Sequence, residues 1–312
     1  SPQPLNIGDN SLTSPYLSVR ISCPRIVADG FSECLMCFGA SSATVDGVDA
    51  DTDDAAEIWI NSLFDIDLDV KDCISRAADS VGLNSTPGLE VEMLDHTDWI
   101  RKTQDSFHPV EVAEGFWIVP EWREPPVPEA INIILNPGLA FGTGEHPTTK
   151  LCLLQLRELI KGGEYVLDYG TGSGILAIAA LKLGAAVSVG FDIEPQAITS
   201  LQSNAVLNGV GPDKLSWSLV APSSRFETTG MYRPELVAEN EKYDLVIANI
   251  LLNPLLDLGE RLVSYAKPGA AVCLSGIIFD QVPPLIRHFS RFLEDVRVTV
   301  DDDWACVKGT KK

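Results

Sequence analysis

A chain of 312 residues, 45% hydrophobic and 21% charged, is long enough for two domains with substantial cores and is not globally disordered. Lysine and arginine total 23 against 44 aspartates and glutamates, a net charge of −21. Such a surface repels phosphate backbones, which excludes direct nucleic-acid binding through a broad basic face, and it attracts a basic partner.

Residues 1–15 are turn-rich and expected to form a flexible N-terminus. YLSVRISC (16–23) alternates like a strand, ADGFSECLMCFGA (28–40) has helical spacing, and SSATVDG opens a second strand. The acid run 46–57 fails as a calcium loop: counted from Asp49, it has Asp54 where glycine belongs and Ile60 where glutamate belongs. EIWINSLFD (57–65), KDCISRAADSVG (71–82) and LEVEMLD (89–95) complete a βαββαβ order, the ferredoxin-like arrangement, over 16–97. Residues 98–130, rich in proline and tryptophan, read as a semi-rigid linker whose aromatics pack on a neighbour.

From 131 to 312 strands and helices alternate. INIIL (131–135), TTKLCLLQLRELI (148–160), YVLD (165–168), ILAIAALKLG (175–184), AVSVGFD (186–192), PQAITSLQSNAVLNG (195–209), LSWSLV (215–220), DLVIAN (244–249), AAVCLSGII (270–278), LIRHFSRF (285–292) and VRVTVDDDWACV (296–307) follow in turn. The pattern predicts an α/β domain with a mostly parallel sheet covered on both faces. Residues 221–242 read as an inserted loop of unassigned role. No stretch is a membrane span, because the most apolar one, 174–191, is broken by Lys182 and Gly184. The seven cysteines are scattered through apolar segments, as in a reducing compartment. Cys34 and Cys37 have metal spacing, but no second pair completes a site, so core thiols are expected and no metal.

Two glycine-threonine-glycine turns flank the helix at 148–160: NPGLAFGTGEH (136–146) and VLDYGTGSG (166–174). A dinucleotide fingerprint needs glycine at 175, where the chain has Ile175. The pattern present is DxGxGxG, with Asp168 at a strand end ahead of Gly170, Gly172 and Gly174. An acid there repels pyrophosphate and suits an ammonium group. Asp192 ends the next strand, where a carboxylate accepts hydrogen bonds from ribose hydroxyls. An ammonium at one end and an unphosphorylated ribose at the other describe S-adenosylmethionine, so a class I (Rossmann-like) methyltransferase domain is expected. Asn249 closes DLVIAN, where its carboxamide oxygen is placed to accept a hydrogen bond from a nucleophilic amine and aim the lone pair; a turn-favouring role before Pro254 is the alternative.

NPGLAFGTGEHPTTKLCL, VLDYGTGSGILAIAALKLGA, FDIEPQAI and VIANILLNPL, with FHP (107–109), FWIVPEWRE (116–124) and the βαββαβ front domain, resemble the PrmA-type ribosomal protein methyltransferases in order and spacing. The resemblance implies methylation of large-subunit ribosomal protein eleven on lysine side-chain and terminal amines. It implies a front domain that captures this basic substrate and a rear domain that holds S-adenosylmethionine. Carried over by position, the cofactor contacts are Thr149, Gly170, Asp192 and Asn249, with Phe141 packed beside the cofactor or the amine. His146 is expected to fix the helix start beside Pro147 more than to act as a base. Two departures stand out: Glu145, where many bacterial members carry threonine, and the longer 221–242 stretch. With the start at Ser1, these departures favour an organellar setting, chloroplast or mitochondrion, over a bacterial-type cytoplasm. Asn249-Ile250-Leu251-Leu252 is not the NPPY of glutamine-directed relatives, which favours an amine target. A different protein lysine as target, and a non-catalytic ribosome-assembly factor with this fold, remain alternatives. The sequence leaves the oligomeric state open, with a monomer favoured.

Overall fold

The computed structural model describes residues 16–46, 56–84, 87–94, 104–105, 107–136, 146–220 and 240–312. The flexible N-terminus expected at 1–15, most of the acid run at 46–57, Phe141, Glu145 and all but the last residues of the 221–242 insertion lie outside them. The chain divides into two units, Ser1–Ser106 and Phe107–Lys312.

In the first unit, period-two alternation builds strands and period-3.6 stripes build the helices that cover them. The order is β1 (Tyr16–Pro24), α1 (Arg25–Cys37), β2 (Ser42–Val45), β3 (Glu57–Asp65), α2 (Val70–Ser80) and β4 (Gly88–Leu94). The antiparallel sheet runs β2-β3-β1-β4, the ferredoxin-like order. One face is closed by the helices, with Phe31, Leu35, Ile74 and Ala77 packed on Val19, Ile21, Ile60 and Phe64. Cys34 joins that core, and burial pushes its thiol up to about 12, while Cys37 is exposed.

The second unit begins before the expected boundary. Residues 107–130, expected as a linker, supply β5 (Val110–Ala113) and β6 (Phe116–Pro120), which form a three-stranded sheet with β7 (Ile131–Leu135). The INIIL strand therefore lies outside the large sheet that it was expected to open. The reason is α4 (Ile175–Lys182), whose residues Ile175 to Ala180 are all buried. A helix apolar all round needs cover on both sides. The main sheet covers one side of α4, and Phe116, Ile118, Ile133 and Leu135 of the small sheet belong to the same core.

The main sheet has seven strands in the order β10-β9-β8-β11-β12-β14-β13. They are β8 (Tyr165–Tyr169), β9 (Val187–Asp192), β10 (Leu215–Leu219), β11 (Tyr243–Asn249), β12 (Ala266–Ile278), β13 (Leu293–Asp301) and β14 (Trp304–Lys311). Helices α3 (Pro147–Leu159), α4 and α5 (Pro195–Leu207) cover one face, and α6 (Leu252–Tyr265) and α7 (Val282–Phe289) the other. β10, β9, β8, β11 and β12 are parallel, whereas β14 is antiparallel to both its neighbours. The run VRVTVDDDWACV is thus a hairpin of two strands, turning at Asp302 with φ +49°. From β8 the chain builds outward through β9 to β10, then returns to place β11 on the other side of β8. That reversal is the topological switch at which open α/β sheets bind ligands.

Candidate functional site

Asp168 sits one residue from the end of β8, paired across to Gly190 on β9 and Ile247 on β11, and is 1% exposed. Its Oδ2 accepts a hydrogen bond from the Thr171 hydroxyl at 2.8 Å, whereas Oδ1 has no hydrogen-bond partner within 3.5 Å. Burial raises this carboxyl to a pKa of about 7, against the opposing pull of the Thr171 hydroxyl and the Ala177 amide.

The chain then makes the turn 170–174. Gly170, Gly172 and Gly174 have φ of +76°, +54° and +81°, values that side chains with a Cβ rarely adopt. The turn is sewn to the end of β9. The amides of Gly170 and Thr171 both donate to the Phe191 carbonyl, at 2.7 and 2.8 Å, and the Gly172 amide donates to Asp192 Oδ2 at 2.9 Å. Asp192 Oδ1 accepts from the Glu194 amide at 3.0 Å. Burial raises Asp192 as well, with the Gly172 and Glu194 amides pulling the other way. A phosphate would therefore meet two buried acids and amides already in use, which removes the physical basis of a pyrophosphate cradle.

Asn249 ends β11 beside this turn, 9% exposed, with its Oδ1 lacking a partner. The next residue is held tightly. The Ile250 amide donates to the Ser275 carbonyl at 3.1 Å, and Ile250 packs into space that Gly170 and Gly276 leave vacant. A Cβ on Gly276, whose φ is +86°, would collide with the Ile250 carbonyl oxygen.

Thr149 lies in the first turn of α3, fully buried, and its hydroxyl also has no hydrogen-bond partner. His146 caps that helix: its Nδ1 accepts from the Thr148 amide at 3.1 Å. The His146 ring meets Trp304 edge-on at 4.4 Å. Trp304 opens β14 opposite Ile278, the last residue of β12, so α3 begins over the carboxyl edge of the sheet. His146 thus defines the helix start, as its place beside Pro147 suggested.

Thr149, Asp168, the three glycines, Asp192 and Asn249 therefore gather at one edge of the sheet, within one unit. Phe141 lies outside the described residues, as does the first glycine-threonine-glycine turn. Thr171, which braces Asp168, and the Ile250–Gly276 contact, which braces Asn249, escape a reading of the sequence. Thr171 lay inside the motif, but a hydroxyl in a turn has many uses. Gly276 carries meaning only once β11 and β12 are known to be neighbours.

Buried oxygens without partners are uncommon in native interiors and call for a complement. Here Thr149 Oγ1, Asp168 Oδ1 and Asn249 Oδ1 supply acceptors, Asp192 retains further lone pairs, and the glycine turn admits a close approach. This donor and acceptor set fits a ligand with an ammonium group and sugar hydroxyls, as S-adenosylmethionine has. Among the described residues no cluster of metal ligands occurs, and no helix is long and apolar enough to cross a membrane.

A family model described as ribosomal protein L11 methyltransferase (PrmA) matches residues 15–312. The chain is 39% identical to the ribosomal protein L11 methyltransferase of Chromobacterium violaceum, over 95% of this chain and 98% of that protein. It is 38% identical to the protein of the same name from Laribacter hongkongensis, over 95% and 99%. Among solved structures, the ribosomal protein L11 methylase of Lactobacillus delbrueckii subsp. bulgaricus aligns with a TM-score of 0.56 at 33% identity, covering 66% of this chain and 100% of that one.

Proposed function

The chain belongs to the ribosomal protein L11 methyltransferase family, and on that premise we propose that it methylates amines of ribosomal protein L11 in the site at the carboxyl edge of β8, β9 and β11. It is an S-adenosylmethionine-dependent protein methyltransferase. The observation that carries the siting is the set of buried oxygens lacking partners, Asp168 Oδ1 and Asn249 Oδ1 on either side of the topological switch with Thr149 Oγ1 at the same edge.

When bound, S-adenosylmethionine supplies an electrophilic methyl on a sulfonium centre. The protein's task is then to hold, orient and dehydrate. Asp168 would hold the cofactor ammonium, and Asp192 would accept from the ribose hydroxyls with lone pairs that the Gly172 and Glu194 amides leave over. Thr149 adds a hydroxyl, and Gly170, Gly172 and Gly174 let the backbone approach. The family resemblance assigns Phe141 a place beside the cofactor or the amine. Asn249 Oδ1 accepts an N–H of the neutral substrate amine and turns its lone pair toward the methyl. A free lysine has a pKa near 10.4, so roughly one amine in two to three thousand is neutral at pH 7. Seating the amine at a dehydrated edge beside a sulfonium lowers that pKa, and the proton leaves to water without a dedicated base.

The first unit is the part that captures L11, a basic protein drawn by a chain of net charge −21. The relatives named above are bacterial, which supports a bacterial-type setting and lends nothing to the organellar one. The test is transfer of labelled methyl from S-adenosylmethionine to purified L11. Label on L11 amines is expected; label on other ribosomal proteins with none on L11 would overturn the substrate.

A further inference from the structure

Helix α5 carries Asn204 within it, beside the buried Leu201 and Ala205, and ends on Asn208 at its C-cap, one turn on. Asparagine is a poor helix former, so Asn204 inside the helix calls for a reason. Asn208 serves β7. Its Oδ1 accepts from the Ile134 amide at 2.9 Å and its Nδ2 donates to the Ile134 carbonyl at 2.6 Å, taking the place of a neighbouring strand at that edge of the small sheet.

Asn204 is fully buried and reaches two places at once. Its Oδ1 accepts from the Asn136 amide at 2.8 Å, and its Nδ2 donates to the Ser173 carbonyl at 2.7 Å. Asn136 is where the chain leaves β7 for the first glycine-threonine-glycine stretch. Ser173 belongs to the second, between Gly172, whose amide holds Asp192, and Gly174, which begins α4. A carboxamide has one acceptor and one donor end at a fixed separation. Aspartate would keep the acceptor and lose the donor, and leucine would lose both.

We infer that Asn204 is a positioning residue for the cofactor site. It locks the 170–174 turn, already sewn to β9 on its amide side, to the point from which the other glycine stretch departs. The inference rests on the cofactor reading above. Losing the clip removes the bond from α5 to the Ser173 carbonyl and loosens the turn that holds Asp192, so cofactor affinity falls before the fold does. Asn208 does not touch that turn: besides β7 its Nδ2 reaches only the Asn204 carbonyl, at 2.7 Å, so its loss loosens β7 and the end of α5.

Titration calorimetry with S-adenosylmethionine, on full-length chains and well below each thermal midpoint, separates the two. Asn204→Leu and Asn204→Asp are expected to weaken binding at least tenfold, and Asn208→Leu less than threefold despite a comparable fall in thermal midpoint. Should Asn204→Leu fail to fold, Asn204→Asp carries the test, since it keeps the acceptor facing Asn136. Binding within threefold of the parent for the Asn204 variants overturns the inference. So does an equal loss in Asn208→Leu, which would reduce both residues to general stability. No binding by the unaltered chain would instead overturn the cofactor reading itself.

Discussion

Asp168 is pulled two ways by its surroundings. Burial holds its pKa at about 7, above the 3.8 of an exposed aspartate, so the folded chain keeps a proton that the unfolded chain releases between those values. The ligand-free protein therefore loses stability as pH rises through that window, and the full loss is present above it. An ammonium partner reverses the preference, because it needs the ionised carboxylate. S-adenosylmethionine binding should weaken as pH falls from 7 to 5, approaching tenfold per unit, with proton release visible in calorimetry. Asp168→Asn should weaken binding yet raise the ligand-free thermal midpoint at pH 8 by roughly 2–8 °C. An unchanged midpoint would mean that the carboxyl titrates as an ordinary one. At Asn249 the expected signature is a split. Asn249→Ala should lower kcat by roughly a hundredfold while the cofactor Kd moves by less than threefold, because the carboxamide aims the amine. Equal losses in both would assign Asn249 to the cofactor alone.

Among the elements, the junction of β11 and β12 decides where Asn249 points. Ile250 is seated against Gly170 and Gly276, and its amide is bonded to Ser275. A methyl group on Gly276 meets the Ile250 backbone itself, and backbone gives way less readily than the end of a flexible side chain. Gly276→Ala should cost about 2–4 kcal/mol from collision and left-handed strain together, read from the urea midpoint. A cost below about 1 kcal/mol would show that the strand ends slide apart easily. The small sheet teaches a related lesson. Its strands exist because α4 is apolar on every side, so an element read as a connector becomes a structural layer.

For the whole molecule, each unit has its own core. A shortened chain beginning at Phe107 should keep cofactor affinity and lose methylation of L11. Normal methylation by that fragment would end the division of labour. The net charge of −21 also predicts that kcat/KM on L11 falls as salt rises, through slower encounter with a basic partner. A flat salt profile would remove electrostatic steering from the account.

The sequence by itself determined the elements and the ends of the strands that matter. Alternation and helical spacing are local properties, and EIWINSLFD and INIIL occur as strands at the bounds read from them. Asp168, Asp192 and Asn249 were legible because glycine turns and polar strand ends interrupt apolar runs. Partnership between distant segments was decided only by the tertiary structure. INIIL reads as a strand of the large sheet yet joins the small one, and VRVTVDDDWACV hides its turn until β14 is seen beside β12. Asn204, Thr171 and Gly276 are common residue types in ordinary places until folding brings Ser173, Asp168 and Ile250 against them. Hydrogen bonds and close approaches depend on which chains meet in space, and a one-dimensional pattern does not contain that.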